Sequence, residues 1–330
     1  MAKDHMSSII ALGGVTIDHV YVVDHHPDPD GVAHIQRNYT KVGGIAANAI
    51  VAAARLGGDV SFVGAVGDDQ DGETAIDYLR EASVDTRWIQ KLHGDSTSYS
   101  IIQVSSHDQT RIILNYRGVQ EGTELPQLTE MGMEDAGCLH VDGFWIDSAL
   151  PLAQTARSEG IPVTLDISQN PRSDRIWELI RMSDYFIPSV FAARKLLASR
   201  FGEDPESLSD GFLSEGPNAV VITMGADGAY AKSRGERGVQ IPAFPAKVLD
   251  TTGAGDTFHG AVAYGVTRGF DLEFNVRFSS AVAAIKCSSN RTDRFAFPSF
   301  EETRQFLEKH GFGGDLQRYE NQIVNEKGGV

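Results

Sequence analysis

Apolar runs of strand length alternate with helix-forming stretches along most of these 330 residues, and that rhythm admits few architectures. Ser8 to Leu12 is a short apolar strand closed by Gly13-Gly14. Ala46 to Leu56 is a strong helix former ended by Gly57-Gly58, and Val60 to Val66 returns as a strand. The pattern recurs as a helix near Thr74 to Glu81, then strands near Cys138 to Asp142 and Pro162 to Asp166 around a helix near Leu150 to Ser158. A helix near Asp174 to Met182 and strands near Tyr185 to Ile187 and Ala219 to Thr223 follow. Strands separated by helices pair in parallel, in a sheet covered on both faces. The expected fold class is α/β, a doubly wound, mainly parallel sheet flanked by helices.

One stretch breaks the rhythm. Thr97 to Val104 and Thr110 to Tyr116 are β-rich and flank Ser105-Ser106-His107-Asp108-Gln109, which reads as an antiparallel hairpin. Val15 to Val23 and Val32 to Lys41 are extended rather than helical. Together these predict a small β-lid over one end of a larger domain. The expected division is 1–14, 41–95 and 119–330 for the core, with 15–40 and 96–118 for the lid. An exposed lid edge needs protection, which favours a homodimer through the lid.

The most specific string is Asp250-Thr-Thr-Gly-Ala-Gly-Asp256, running into Thr257-Phe258-His259-Gly260-Ala261. It lies between a β-like run, Gln240 to Leu249, and an apolar helical run. Gly253 and Gly255 let the backbone turn, so the N–H groups of Ala254, Gly255 and Asp256 can converge on an anion at a helix N-terminus. Asp256 is anomalous there, since a carboxylate repels an anion. It reads as a base that deprotonates a nucleophile approaching a phosphoryl group. The competing reading is a helix N-cap.

Composition narrows the partners. The formal charge of −16 disfavours nucleic-acid binding, which relies on clustered Lys and Arg. Apolar runs long enough for a membrane are missing, and Lys3, Asp4 and His5 stand where a signal peptide would be apolar. Cys138 and Cys287 have no paired spacing, so a reducing, cytoplasmic setting is expected. The polar tail from Gly311 to Val330 is expected to fray in its last residues. His19, His25, His26 and His34 lack metal-ligand spacing and read as solvated.

The Asp250-to-Phe258 string resembles the C-terminal signature of the ribokinase-like (PfkB) carbohydrate kinases, and the likeness extends over nearly the whole chain. Val42-Gly43-Gly44-Ile45-Ala46-Ala47-Asn48 and Gly64-Ala-Val-Gly-Asp-Asp69 resemble the family's N-terminal block. Gly43, Gly44 and Asn48 would then bind a polyol, although the same residues could simply turn and pack the chain. The resemblance implies a carboxylate gripping sugar hydroxyls at Asp18, and ATP near Thr223, Gly225 and Gly228. Small residues of the helix from Ser280 to Cys287 would leave room for the base. Arg172, beside Asp166 and Asn170, would clamp the phosphates together with Thr252, Gly253 and Gly255. Mg²⁺ is implied, but the family's Asn-x-x-Glu pair is replaced by Ser189 and Ala192. K⁺ is implied at Asp250 and Thr252.

Within the family, Arg37 to Gly44, Arg111 to Tyr116 and Asp250 to Ala261 look most like the sulfofructose kinase branch, which implies substrate contacts from Arg37, Asn115 and Arg117. Phe144-Trp145 and the lysine-free Gly31-Val32-Ala33 depart from it and point to a neutral or differently shaped substrate. Ketohexose, keto-deoxy sugar acid, ribose and nucleoside all stay open. The expected activity is ATP-dependent phosphorylation of a sugar hydroxyl, with a catalytically silent sugar-binding protein as the alternative.

Overall fold

A computed structural model describes residues 8–108, 110–119, 125–133, 136–167, 173–288, 295 and 297–327. In chain order, β1 (Ser8–Leu12), β2 (Thr16–Val23) and β3 (Ile35–Gly43) lead into α1 (Ile45–Arg55), β4 (Asp59–Gly67) and α2 (Gln70–Glu81). Strands β5 (Ile89–Leu92), β6 (Tyr99–Ser105) and β7 (Arg111–Tyr116) follow, then α3 (Leu128–Met131), β8 (Cys138–Val141), α4 (Ile146–Glu159) and β9 (Val163–Ile167). Next come α5 (Ile176–Met182), β10 (Tyr185–Pro188), α6 (Val190–Phe201), α7 (Pro205–Glu215) and β11 (Ala219–Thr223). The chain closes with β12 (Ala229–Ser233), β13 (Val239–Ile241), α8 (Ala254–Thr267), α9 (Leu272–Ser288), α10 (Phe300–Lys309) and α11 (Gly313–Lys327).

Among the described residues these strands form two sheets. The larger has nine strands in the order β13-β12-β11-β10-β9-β8-β1-β4-β5. Its pairs are parallel from β5 to β11, and antiparallel where β12 and β13 close the other edge. Both faces are covered, as a parallel sheet requires. On β1, Ile10 and Leu12 join a core with α4, α5, α6 and α7, while Ile9 and Ala11 join another with α1, α8 and α9.

The smaller sheet has the order β3-β2-β6-β7. Each hairpin is antiparallel, and β2 pairs with β6 in parallel to join them. Strand β3 continues through Gly43, beyond the lid boundary expected at 40. This sheet leaves apolar side chains in the open, with Leu114 57% and Ile35 59% exposed.

One expectation is corrected. The β-like run from Gln240 to Leu249 yields only the end of β13, because Pro242 and Pro245 cannot donate to a ladder and the chain beyond Ile241 is irregular. The polar tail carries α11, which docks by burying Leu316 and Tyr319, with Tyr319 stacked on Phe274 at 4.9 Å. The final residues, 328–330, lie outside the described residues. No helix among the described residues is long and apolar enough to cross a membrane.

Candidate active site

Helices α1 and α8 deliver the two polar groups at the centre of the site. They approach closely because Gly260 of α8 lies against Ala49 of α1, where a Cβ would collide with the Ala49 carbonyl oxygen. One turn away, Asn48 Nδ2 donates to Asp256 Oδ2 at 2.7 Å. Gly253 takes the N-cap position of α8 with φ 72°, a left-handed backbone that favours glycine. Asp256 therefore sits inside the first turn rather than at the cap. The capping alternative fails, and the carboxylate is free to face Asn48.

Two cavities meet at this turn. One, of about 680 Å³, is lined by Gly14, Thr16, Gly44, Ser98, Ser100, Asn115, Asp142 and Asp256, with Tyr99, Tyr116, Phe144 and Trp145 as aromatic walls. The other, of about 510 Å³, has mostly apolar walls that include Phe244, Val248, Phe258, Ala283 and Ala284. Thr223, Gly225, Gly228, Thr251, Ala254 and Gly255 line it as well. Neighbouring residues Gly255 and Asp256 thus belong to different cavities.

Two carboxyls, Asp142 and Asp256, line the first cavity together with Arg117. Burial pushes the Asp256 carboxyl up to about 6, with the Asp166 charge adding and the Asn48 bond and His259 opposing. Burial likewise pushes Asp142 up to about 7, against hydrogen bonds donated by the Phe144 N–H to Oδ1 at 3.0 Å and the Gly14 N–H to Oδ2 at 3.1 Å. Burial also raises Asp18, against a Ser100 hydrogen bond and the charges of Lys41 and His19. Beneath the floor, fully buried Asp166 and His259 lie 2.9 Å apart, Oδ2 to Nδ1. His140, beside His259, is held well below its usual range at about 4, first by burial and then by His259.

The expected catalytic residues, Gly253, Ala254, Gly255 and Asp256, come together at the start of α8. Of the expected sugar contacts, Gly44, Asn115 and Asp256 line the first cavity, as does Arg117. Asn48 reaches it through Asp256. Gly43 and Asp18 border it, since a Cβ on Gly43 would lie 3.1 Å from Asp18 Oδ2, and Asp18 bonds the lining residue Ser100. Arg37 does not join them: it stands exposed on β3, its guanidinium 5.3 Å over the Tyr39 ring. Thr223, Gly225, Gly228 and Gly255 line the second cavity, with Thr252 and Gly253 in the adjoining turn. Arg172 and Asn170 lie outside the described residues. His19 is not simply solvated, because its Nε2 lies 2.9 Å from Asp71 Oδ2.

Asp142 is the residue that sequence reasoning missed. An acid directly after strand β8, next to Gly143, stands at the carboxyl end of a strand, where open α/β sheets bind ligands, and that position was the available signal.

The described residues do not offer a protein cage for divalent metal. Among the described residues no group of three or more His, Cys, Asp or Glu could hold an ion. Ser189 instead caps α6 by accepting the Ala192 N–H at 3.2 Å, and Ala192 is wholly buried. Nor do Asp250 and Thr252 fit a monovalent cation. Asp250 Oδ1 accepts the Thr252 N–H at 2.9 Å, and the Lys286 ammonium occupies the other side of the residue, 3.4 Å from the Asp250 carbonyl oxygen and 3.8 Å from Oδ2.

Comparison with known proteins agrees with this geometry. Residues 6–298 match the model of the pfkB family carbohydrate kinases. The chain is 28% identical to the ribokinase of Haemophilus influenzae over 307 residues, covering 91% of this chain and 98% of the relative. It is 27% identical to the 5-dehydro-2-deoxygluconokinase of Clostridium perfringens over 320 residues, covering 91% and 93%. In fold it resembles the Arabidopsis thaliana ribokinase solved with ribose and ATP, with a TM-score of 0.81 at 23% identity over 91% of this chain and 98% of that one. A doubly wound core, a lid of four strands and a glycine turn between two cavities thus accompany a family match over most of the sequence: the chain belongs to the pfkB family of carbohydrate kinases, phosphotransferases with an alcohol group as acceptor.

Proposed function

We propose that this chain transfers the γ-phosphoryl group of ATP to a primary hydroxyl of a neutral sugar, with Asp256 as general base. The observation that carries the reading is the junction of the two cavities at Gly255 and Asp256. A sugar in the first cavity would present a hydroxyl to the carboxylate, and a nucleotide in the second would present its terminal phosphate to the start of α8. Asp256 takes the proton as the oxygen attacks. The N–H groups of Ala254, Gly255 and Asp256, at the positive end of a 14-residue helix, stabilise the charge on the transferring group. Mg²⁺, held by nucleotide oxygens and water rather than by a protein cage, would supply further neutralisation.

The sugar is read from the first cavity. Asp18 at its border, Asp142 and Asp256 are strong acceptors for hydroxyls and poor neighbours for an anionic substrate. Arg117 is the basic residue of the lining, while Arg37, a mainstay of the sulfosugar reading, stands away from it. A neutral ketose or aldose fits better, its C–H face against Phe144 and Trp145. The size of the cavity and its four aromatic side chains support a nucleoside as the second reading. A silent binding protein has less support, because a carboxyl lifted to about 6 on the attacking side suits a base. Free thiols at Cys138 and Cys287 accord with a cytoplasmic setting.

ADP release across neutral sugars, sulfofructose, keto-deoxy sugar acids and nucleosides tests this reading. A neutral sugar is expected to give the largest kcat/KM, and Asp142→Asn to raise its KM by about tenfold or more through the lost acceptor. Preference for an acidic sugar, or an unchanged KM in the variant, would reject the assignment.

The lid, residues 15–40 and 96–118, is proposed to cover the sugar and to pair with a second copy. Ile112, Ile113, Leu114 and Tyr116 on its edge strand β7 are all exposed, which is an aggregation hazard unless covered. Light scattering is expected to give a dimer for the native chain and a monomer for Leu114→Asp. A native monomer at micromolar concentration would refute the pairing.

A further inference from the structure

We propose that Lys286 is a built-in counter-ion, taking the place that a monovalent cation would fill beside the turn between the two cavities. Three observations converge on it. Lys286 is 6% exposed, although lysine is rarely buried without partners. It lies in the last turn of α9, where a cation opposes the negative end of the helix dipole. Its ammonium meets both the carbonyl oxygen of Asp250, at 3.4 Å, and the carboxylate, at 3.8 Å.

The same end of α9 grips the chain directly. The carbonyl of Cys287 accepts the N–H of Leu249 at 2.8 Å and of Asp250 at 3.3 Å. Asp250 in turn accepts the Thr252 N–H, one residue before Gly253. A carbonyl oxygen and a carboxylate are the donors a potassium ion would need. An ammonium group resembles that ion in charge and approximate size and asks for the same oxygens. With the lysine on these oxygens, a free cation at Asp250 would meet a like charge. Lys286 is therefore a positioning residue: it lines neither cavity itself, and it fixes residues 249–252 from which the turn starts.

This inference rests on the kinase reading only for its effect on turnover, so the test uses a readout that needs no nucleotide. Thermal unfolding of the native chain and of Lys286→Met is measured in potassium chloride and in choline chloride at equal ionic strength, followed by ADP release in both salts. The native chain is expected to change neither Tm nor rate by more than experimental scatter. The Met variant, similar in volume but uncharged, is expected to unfold earlier in choline, to regain Tm in potassium, and to lose about tenfold in turnover without potassium. A native enzyme activated severalfold by potassium would overturn the inference, as would a Met variant indifferent to the cation. If the Met variant does not fold, Lys286→Gln replaces it under the same criteria. The expected thermal responses without ADP release from any sugar would sink the kinase reading and leave the counter-ion supported.

Discussion

Asp256→Asn is expected to reduce sugar-dependent ADP release by at least about a hundredfold while leaving the fold intact. Asparagine keeps an oxygen that can accept from Asn48 but cannot take the proton of the attacking hydroxyl. In the native enzyme the carboxylate must be ionised to act, so kcat/KM is expected to fall about tenfold per pH unit below an apparent pKa near 6. The same shift has a signed effect on stability. The folded chain holds this proton more tightly than the unfolded chain does, so the contribution is full below about 4 and is lost as pH rises through about 6. At pH 8 the ionised, half-buried acid therefore costs stability, on the order of 2 kcal/mol, and the Asn variant is expected to melt higher than the native protein there. At pH 4 that advantage should vanish. Near-native turnover by the variant would dismiss the base, and equal Tm values at pH 8 would dismiss the shift.

Gly260→Ala is expected to damage both stability and catalysis, although residue 260 lines neither cavity. The added methyl would press on the Ala49 carbonyl at the crossing of α1 and α8, and backbone cannot yield as a flexible side chain does. Overpacking of this kind costs about 3 kcal/mol, roughly 4 °C of Tm in a chain of this size. Because α1 carries Asn48 and α8 carries Asp256, spreading the helices also lengthens the 2.7 Å bond that orients the acid. A loss of about tenfold or more in kcat is expected, with KM changing less. Gly255→Ala is the comparison, since a Cβ at 255 would meet open space and should leave Tm unchanged. A Gly260→Ala protein that matches the native Tm would refute the crossing as a tight constraint.

The sheet and its two covering layers were legible because their signal is local: apolar strands such as Ala219 to Thr223 and an alanine-rich helix such as α1 read the same in sequence as in structure. The glycine turn was legible for the same reason. What escaped depends on distance in the chain. Asp142 becomes part of the site only because β8 pairs with β1 and places its carboxylate under the Gly14 N–H, 128 residues earlier. Lys286 meets Asp250 across 36 residues, and a single lysine in an apolar helix carries no periodic mark. Arg37 fails in the opposite way, since its string resembles the sulfofructose kinase branch while its register opposite Val22 places it four residues along β2 from Asp18, exposed over Tyr39. The run from Gln240 to Leu249 was misread because β-branched and apolar content outweighed its two prolines.

The two legs of the small sheet enter and leave the core at the same spot. Gly14 and Val15 precede β2, Gly44 follows β3, and all three line the first cavity, with Gly44 held at φ 110° against the Gly14 carbonyl. A ligand settling there would touch both pivots at once. Filling the pocket and settling its cover would then be coupled, so that an occupied acceptor site is also the one best shielded from water.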